Sequence, residues 1–122
     1  MLTIEHKKIA PAICYESLLP EHSAKAAKNG ANIYMASVAK SVNGINNGYI
    51  HYPQIAKQYS MIVLLSNCIG RCDDFESVGQ SAIWNQQGDL VGKLNDKDQG
   101  ILVINTETGE VTKLDLLLKS MK

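Results

Sequence analysis

Several absences narrow what this sequence can be. Lysine plus arginine equals aspartate plus glutamate at 12 each over 122 residues. With no basic excess to grip phosphates, a dedicated nucleic-acid binder is excluded as the leading reading. Cysteine is confined to Cys14, Cys68 and Cys72, an odd and small number for a secreted disulfide framework. Histidine is equally scarce: His6, His22 and His51 include no pair at ligand spacing. Cys68 and Cys72, four residues apart, therefore read as thiols near a loop rather than half of a zinc site. The longest apolar run, Met61 to Leu65, falls far short of the ~20 residues needed to cross a bilayer. Met1 to Lys8 lacks the basic-then-apolar order of a signal peptide. No phosphate-cradling loop or dinucleotide fingerprint occurs, so no cofactor and no metal are expected. These absences predict a soluble, cytoplasmic domain with no nucleic-acid partner and no membrane span.

What is present suits one packed domain. Hydrophobic residues make up 45% and charged residues 20%, a balance that argues against disorder. Leu2 to Cys14 reads as a strand pair or one long strand, with Pro11 requiring an edge or a bulge because it donates no backbone hydrogen bond. Leu18-Leu19-Pro20-Glu21 opens a helix that Gly30 suits as a cap. Ala31 to Ala36 is a buried strand. The strand–helix–strand order predicts a parallel sheet. Ser41 to Gly48, rich in Asn and Gly, reads as a loop. A second helix then carries Tyr52, Ala56 and Tyr59 on one face, with Pro53 in its first turn or at a kink. Met61 to Ser66 is a strand covered on both faces. Gln86-Gln87-Gly88-Asp89 is a hairpin turn between Ser81–Trp84 and Leu90–Lys93. Ile101 to Ile104 is a late strand, and Leu114 to Lys122 is a short helix or an arm. The fold class is α/β.

Chemistry concentrates at Ala12-Ile13-Cys14-Tyr15-Glu16-Ser17. This segment puts a thiol where an apolar strand ends and a helical segment begins. Backbone amides at such a turn stabilise a thiolate and can bind a developing oxyanion. Buried free cysteine is also common in cores, so the thiol alone leaves both roles open.

The order of motifs decides more. Ile13-Cys14-Tyr15-Glu16, then Pro20-Glu21 and Gly30-Ala31-Asn32, resembles the nucleophile region of the nitrilase superfamily of carbon–nitrogen hydrolases. Val63-Leu64-Leu65-Ser66-Asn67, Gly70, Phe75, Gly79-Gln80-Ser81, Gly88 and Ile101-Leu102-Val103-Ile104 continue the likeness from about Ile9 to Val111. Gln80 departs from it, since many members carry a second glycine there. The resemblance implies part of a nitrilase-type α-β-β-α sandwich. It also implies a cysteine nucleophile, matched by Cys14, that forms a thioester or thioimidate with a small amide, nitrile or carbamoyl substrate. The backbone amide of Tyr15 matches the oxyanion donor, and Glu16 supports the turn by hydrogen bonding. Ser37, Val38 and Ala39 match pocket-lining positions and read equally well as an ordinary loop.

The family's general-base glutamate and catalytic lysine precede the nucleophile by more chain than Cys14 has ahead of it. Glu5, Lys7 and Lys8 do not substitute: at ~3.3 Å per residue Lys7 begins about 23 Å back along the strand, against a contact of ~3 Å that catalysis needs. Residues 1–122 are therefore expected to be the C-terminal half of a carbon–nitrogen hydrolase domain, its upstream half absent. Half a sandwich leaves apolar sheet faces uncovered, which predicts a homo-oligomer or pairing with another chain. Two other readings stay open. One is a non-catalytic remnant acting as an oligomeric interaction module. The other is a cysteine–histidine dyad of Cys14 with His51.

Overall fold

A computed structural model of the chain describes residues 1–72, 75–96 and 100–115. Strand β1 (Leu2–Ile4) folds back on β2 (Lys7–Ile13) as an antiparallel hairpin, which decides for the strand pair. Its two turn residues, Glu5 and His6, have φ of 47° and 69°. Two-residue hairpins favour such positive φ because it matches the twist of the strands. A short 3-10 helix (Cys14–Leu18) and helix α1 (Pro20–Lys28) follow, then strand β3 (Ile33–Val38). Pro20 starts α1, and Gly30 follows its end at φ 87°. Pro11 lies two residues past the last residue that β1 pairs, so its missing N–H faces an open edge.

Helix α2 spans Val42–Tyr59. It therefore absorbs Ser41 to Gly48, which the Asn and Gly content suggested was a loop. Only Ser41 stays outside, as the N-cap. Burial overrides the poor local propensity: Ile45, Gly48, Tyr52, Ile55 and Ala56 form one buried face. Gly48 is part of that packing, because an added Cβ would lie 2.9 Å from the Tyr52 ring. Pro53 is correspondingly inside the helix, not in its first turn.

Strand β4 (Ile62–Asn67) precedes a small hairpin of β5 (Ile69–Cys72) and β6 (Phe75–Val78), then β7 (Ala82–Trp84) and β8 (Leu90–Lys93). The main sheet has the order β1-β2-β3-β4-β7-β8, with β2, β3 and β4 parallel. β9 (Gly100–Ile104) and β10 (Val111–Asp115) form a separate antiparallel ribbon. Leu114 and Asp115 thus end a strand, and the rest of the expected C-terminal arm, 116–122, lies outside the described residues.

Alternation along the strands sorts the core into two layers. Ala10, Ala12, Tyr34, Ala36, Val63, Leu65 and Trp84 pack on one face against Ala26 of α1 and Tyr52, Ile55 and Ala56 of α2. On the other face Ile33, Ile62 and Ile83 pack against Leu102, Ile104 and Val111 of the ribbon. β4 is accordingly covered on both sides, as its continuous apolar run requires. The ribbon does not reach the β1–β2 edge, where Leu2, Ile4 and Ile13 are each more than half exposed. The arrangement is helices, sheet, and a partial second β layer.

Candidate active site

Cys14 sits at the C-terminal end of β2, where the sheet's parallel strands all end. Its φ is 53°, in the left-handed region that a residue with a Cβ rarely enters. Three contacts hold this turn. The N–H of Ile13 donates to Glu16 Oε2 at 2.7 Å, so Glu16 occupies the hydrogen-bonding role within the turn. Ser17, fully buried, donates from Oγ to the Cys14 carbonyl at 2.8 Å. The Tyr52 hydroxyl lies 2.7 Å from Ser17 Oγ. Cys14 itself is exposed and forms no disulfide. Tyr15 turns its side chain to solvent; its N–H is among the first-turn donors that a helix leaves unused.

A second ring of contacts braces Glu16. Its Oε1 is 3.4 Å from His22 Nε2, and His22 Nδ1 lies 2.8 Å from the Tyr34 hydroxyl. Burial raises the Tyr34 hydroxyl above its ordinary value, with smaller contributions from Tyr52 and Glu16. Tyr52 is raised for the same main reason, and its bond to Ser17 opposes the shift. His51 reaches the main chain of the turn. Its Nε2 lies 3.0 Å from the Ser17 carbonyl and must donate to it, since a carbonyl only accepts. That bond leaves Nδ1 as an acceptor. Among the described residues no hydrogen bond joins the His51 ring to the Cys14 thiol, so the dyad reading gains no contact. His51 packs edge-on against Tyr52.

Ser37 is level with Ile13 across β2–β3 and with Ser66 across β3–β4, and is exposed. Val38 buries its side chain in the helix-side core, leaving its main chain at the rim, while Ala39 is exposed. Lys7 and Lys8 stay at the far end of β2, where Lys8 Nζ reaches the Asn29 carbonyl at 3.5 Å.

Asn67 and Gln80, legible in the sequence only as members of the motif order, take structural roles that their spacing did not indicate. Asn67, buried at the end of β4, accepts from the Lys40 N–H at 2.7 Å and donates Nδ2 to the carbonyls of Lys40 (3.2 Å) and Gly79 (2.8 Å). It staples the loop after β3 to the chain entering β7. Gln80 has φ 59°, which accounts for glycine being common there, and Tyr49 Oη secures it by donating to its carbonyl at 2.6 Å. An open cavity of about 400 Å³ beside β4 is lined by Asn67, Cys68, Gln80, Ser81 and Asn95 among others, and does not include Cys14. Among the described residues no three His, Cys, Asp or Glu side chains are grouped to hold a metal. Among them no helix is long and apolar enough to cross a membrane.

These features define a class: an α/β domain presenting an exposed cysteine on a left-handed turn at the C-terminal end of a parallel strand. The carbon–nitrogen hydrolase family profile matches residues 1–114, and the chain belongs to that family. No curated protein matches it significantly by sequence. Its fold is that of nitrilase-superfamily amidases. A Nesterenkonia sp. AN1 amidase superposes with a TM-score of 0.73 at 19% identity, over 97% of this chain and 42% of the amidase. A mutant of that amidase bound to butyramide gives 0.73 at 18%, over 94% and 40%. Another mutant, with the acetamide moiety of fluoroacetamide added covalently at the active site cysteine, gives 0.73 at 19%, over 94% and 40%. The chain spans about 40% of the length of these amidases.

Proposed function

We propose that these residues form the nucleophile-bearing part of a nitrilase-type amidase acting on a small amide. The observation that carries this reading is Cys14 itself: exposed, at positive φ, with the backbone on both sides held by Glu16 and Ser17. In the reaction the Cys14 sulfur bonds to the amide carbon and the C=O electron pair moves onto oxygen, where the Tyr15 N–H donates to it. Collapse breaks the C–N bond, ammonia leaves with the thiol's proton, and water then cleaves the thioester to a carboxylic acid. Ser37 and Ala39, with the main chain of Val38, line the rim that meets the substrate. Nitriles and carbamoyl compounds are alternatives of the same electrophilic kind.

The proton carrier and the second oxyanion donor, a glutamate and a lysine in this family, come in our proposal from polypeptide outside these 122 residues. The same polypeptide covers the exposed Leu2, Ile4 and Ile13. It is the remainder of the domain, or another copy or chain.

The test is fluoroacetamide labelling with site-resolved mass spectrometry, alongside ammonia release from butyramide by the complete assembly. We expect an acetamide adduct on Cys14 and loss of ammonia release in Cys14→Ala. Full amidase activity in Cys14→Ser would remove Cys14 from the mechanism. An assembly with no hydrolysis and an unlabelled Cys14 would leave the interaction-module reading standing.

A further inference from the structure

We propose that His22 is a positioning residue of this site: through Glu16 it fixes the turn on which the Cys14 thiol is presented. Its meaning for catalysis rests on reading Cys14 as the nucleophile. Glu16 alone is a loose anchor. Its Oε2 accepts from the Ile13 N–H at 2.7 Å, directly before Cys14. Yet the glutamate side chain is 43% exposed and borders an open cavity of about 390 Å³, shared with Lys25 and Asn29. A glutamate facing water has several rotamers of similar energy, and holding one of them costs entropy. Among the described residues the one basic side chain in contact with that carboxylate is His22, whose Nε2 lies 3.4 Å from Oε1. The carboxylate is thus held at both oxygens.

His22 is itself fixed from the sheet. Its Nδ1 lies 2.8 Å from the hydroxyl of Tyr34, a fully buried residue of β3. The two rings meet edge-on, with centroids 5.7 Å apart. An ionised carboxylate only accepts, so Nε2 carries the ring proton toward Glu16; Nδ1 of the neutral ring then accepts from the Tyr34 O–H. Burial, which raises the Tyr34 pKa, keeps that proton on the hydroxyl. A continuous run of contacts therefore leads from the core of β3 through α1 and the 3-10 helix to the last residue of β2. It holds the peptide before Cys14, as Ser17 and Tyr52 hold the carbonyl after it. The left-handed φ of 53° at Cys14 persists because the backbone is fixed on both sides.

Substitution can separate the two ring nitrogens. His22→Asn keeps an acceptor for Tyr34 at the place of Nδ1 but does not reach Glu16; His22→Gln keeps a donor at the place of Nε2. The first measurement is amide hydrogen exchange at Ile13 by NMR, in the full chain. His22→Asn should speed that exchange roughly three- to tenfold, the equivalent of one hydrogen bond. Its urea midpoint should stay native, because Tyr34 remains paired. His22→Gln should restore the slow exchange. A role confined to supporting Tyr34 predicts the reverse, with Asn harmless and Gln damaging, and that result overturns the proposal. So does native exchange at Ile13 in His22→Asn. In the complete assembly His22→Asn should lower kcat for butyramide by a similar factor with KM unchanged, and Gln should recover it. Undiminished ammonia release by Cys14→Ala would sink the nucleophile reading, while the exchange result still decides whether His22 fixes the turn.

Discussion

Ser17 and Tyr52 offer the sharpest test of how the turn is built. Ser17 has one hydroxyl proton and gives it to the Cys14 carbonyl, so the Tyr52 O–H must be the donor to Ser17 Oγ. That asymmetry predicts unequal single mutants. Tyr52→Phe removes one hydrogen bond but leaves Ser17 satisfied as a donor, a loss of about 1 kcal/mol. Ser17→Ala takes the partner from a buried Tyr52 hydroxyl and from the Cys14 carbonyl, a loss of about 2–3 kcal/mol. In the double mutant no stranded hydroxyl remains, so the total should fall short of the sum by about 1 kcal/mol or more. Urea unfolding supplies the free energies. Trp84, the single tryptophan, is buried and 5.9 Å from the Tyr52 ring, so its fluorescence reports this part of the core directly. Additivity within about 0.3 kcal/mol, or a Tyr52→Phe loss larger than that of Ser17→Ala, would refute the assigned direction of the bond.

Backbone strain and alkaline pH give two more checks. Because Cys14 adopts φ 53°, Cys14→Gly should be more stable than Cys14→Ala by about 1 kcal/mol in the same urea assay, although both lose labelling; equal midpoints would mean the turn stores no such strain. Tyr34, Tyr49 and Tyr52 are all raised above the ordinary tyrosine value of 10.0, chiefly by burial, and Tyr49 is pushed up to about 12. The unfolded chain then ionises first. Stability is fully present below pH 10 and falls as pH rises toward about 12. Urea midpoints measured across that window should drop more steeply in the native chain than in Tyr49→Phe.

Much of this molecule was legible one residue at a time. The parallel strand–helix–strand unit, the hairpin around Gly88 and the position of Cys14 at a strand end follow from periodicity and turn chemistry, which act over a few residues. Motif order then carried the family, because Ile13-Cys14-Tyr15-Glu16 and the later strands keep their spacing through the chain. Legibility failed where a distant partner outweighed local preference. Ser41 to Gly48 has loop composition, yet Val42 onward is helix because Ile45, Gly48 and Tyr52 share a buried face. Glu5 and His6 turn a hairpin without the usual Asn or Gly, held by the pairing of Leu2 with Ile9 and Ile4 with Lys7.

The site divides the same way. Sequence alone determined that a thiol ends strand β2 with a carboxylate two residues on, since those are consecutive residues in a recognisable order. Only the tertiary structure decided what surrounds it. Ser17 meets Tyr52 across 35 positions, His51 is drawn to the Ser17 carbonyl across 34, and Asn67 fixes Lys40 across 27. Such contacts depend on how two helices and three parallel strands pack. No local spacing encodes that, because each partner's position is set by the burial of other side chains.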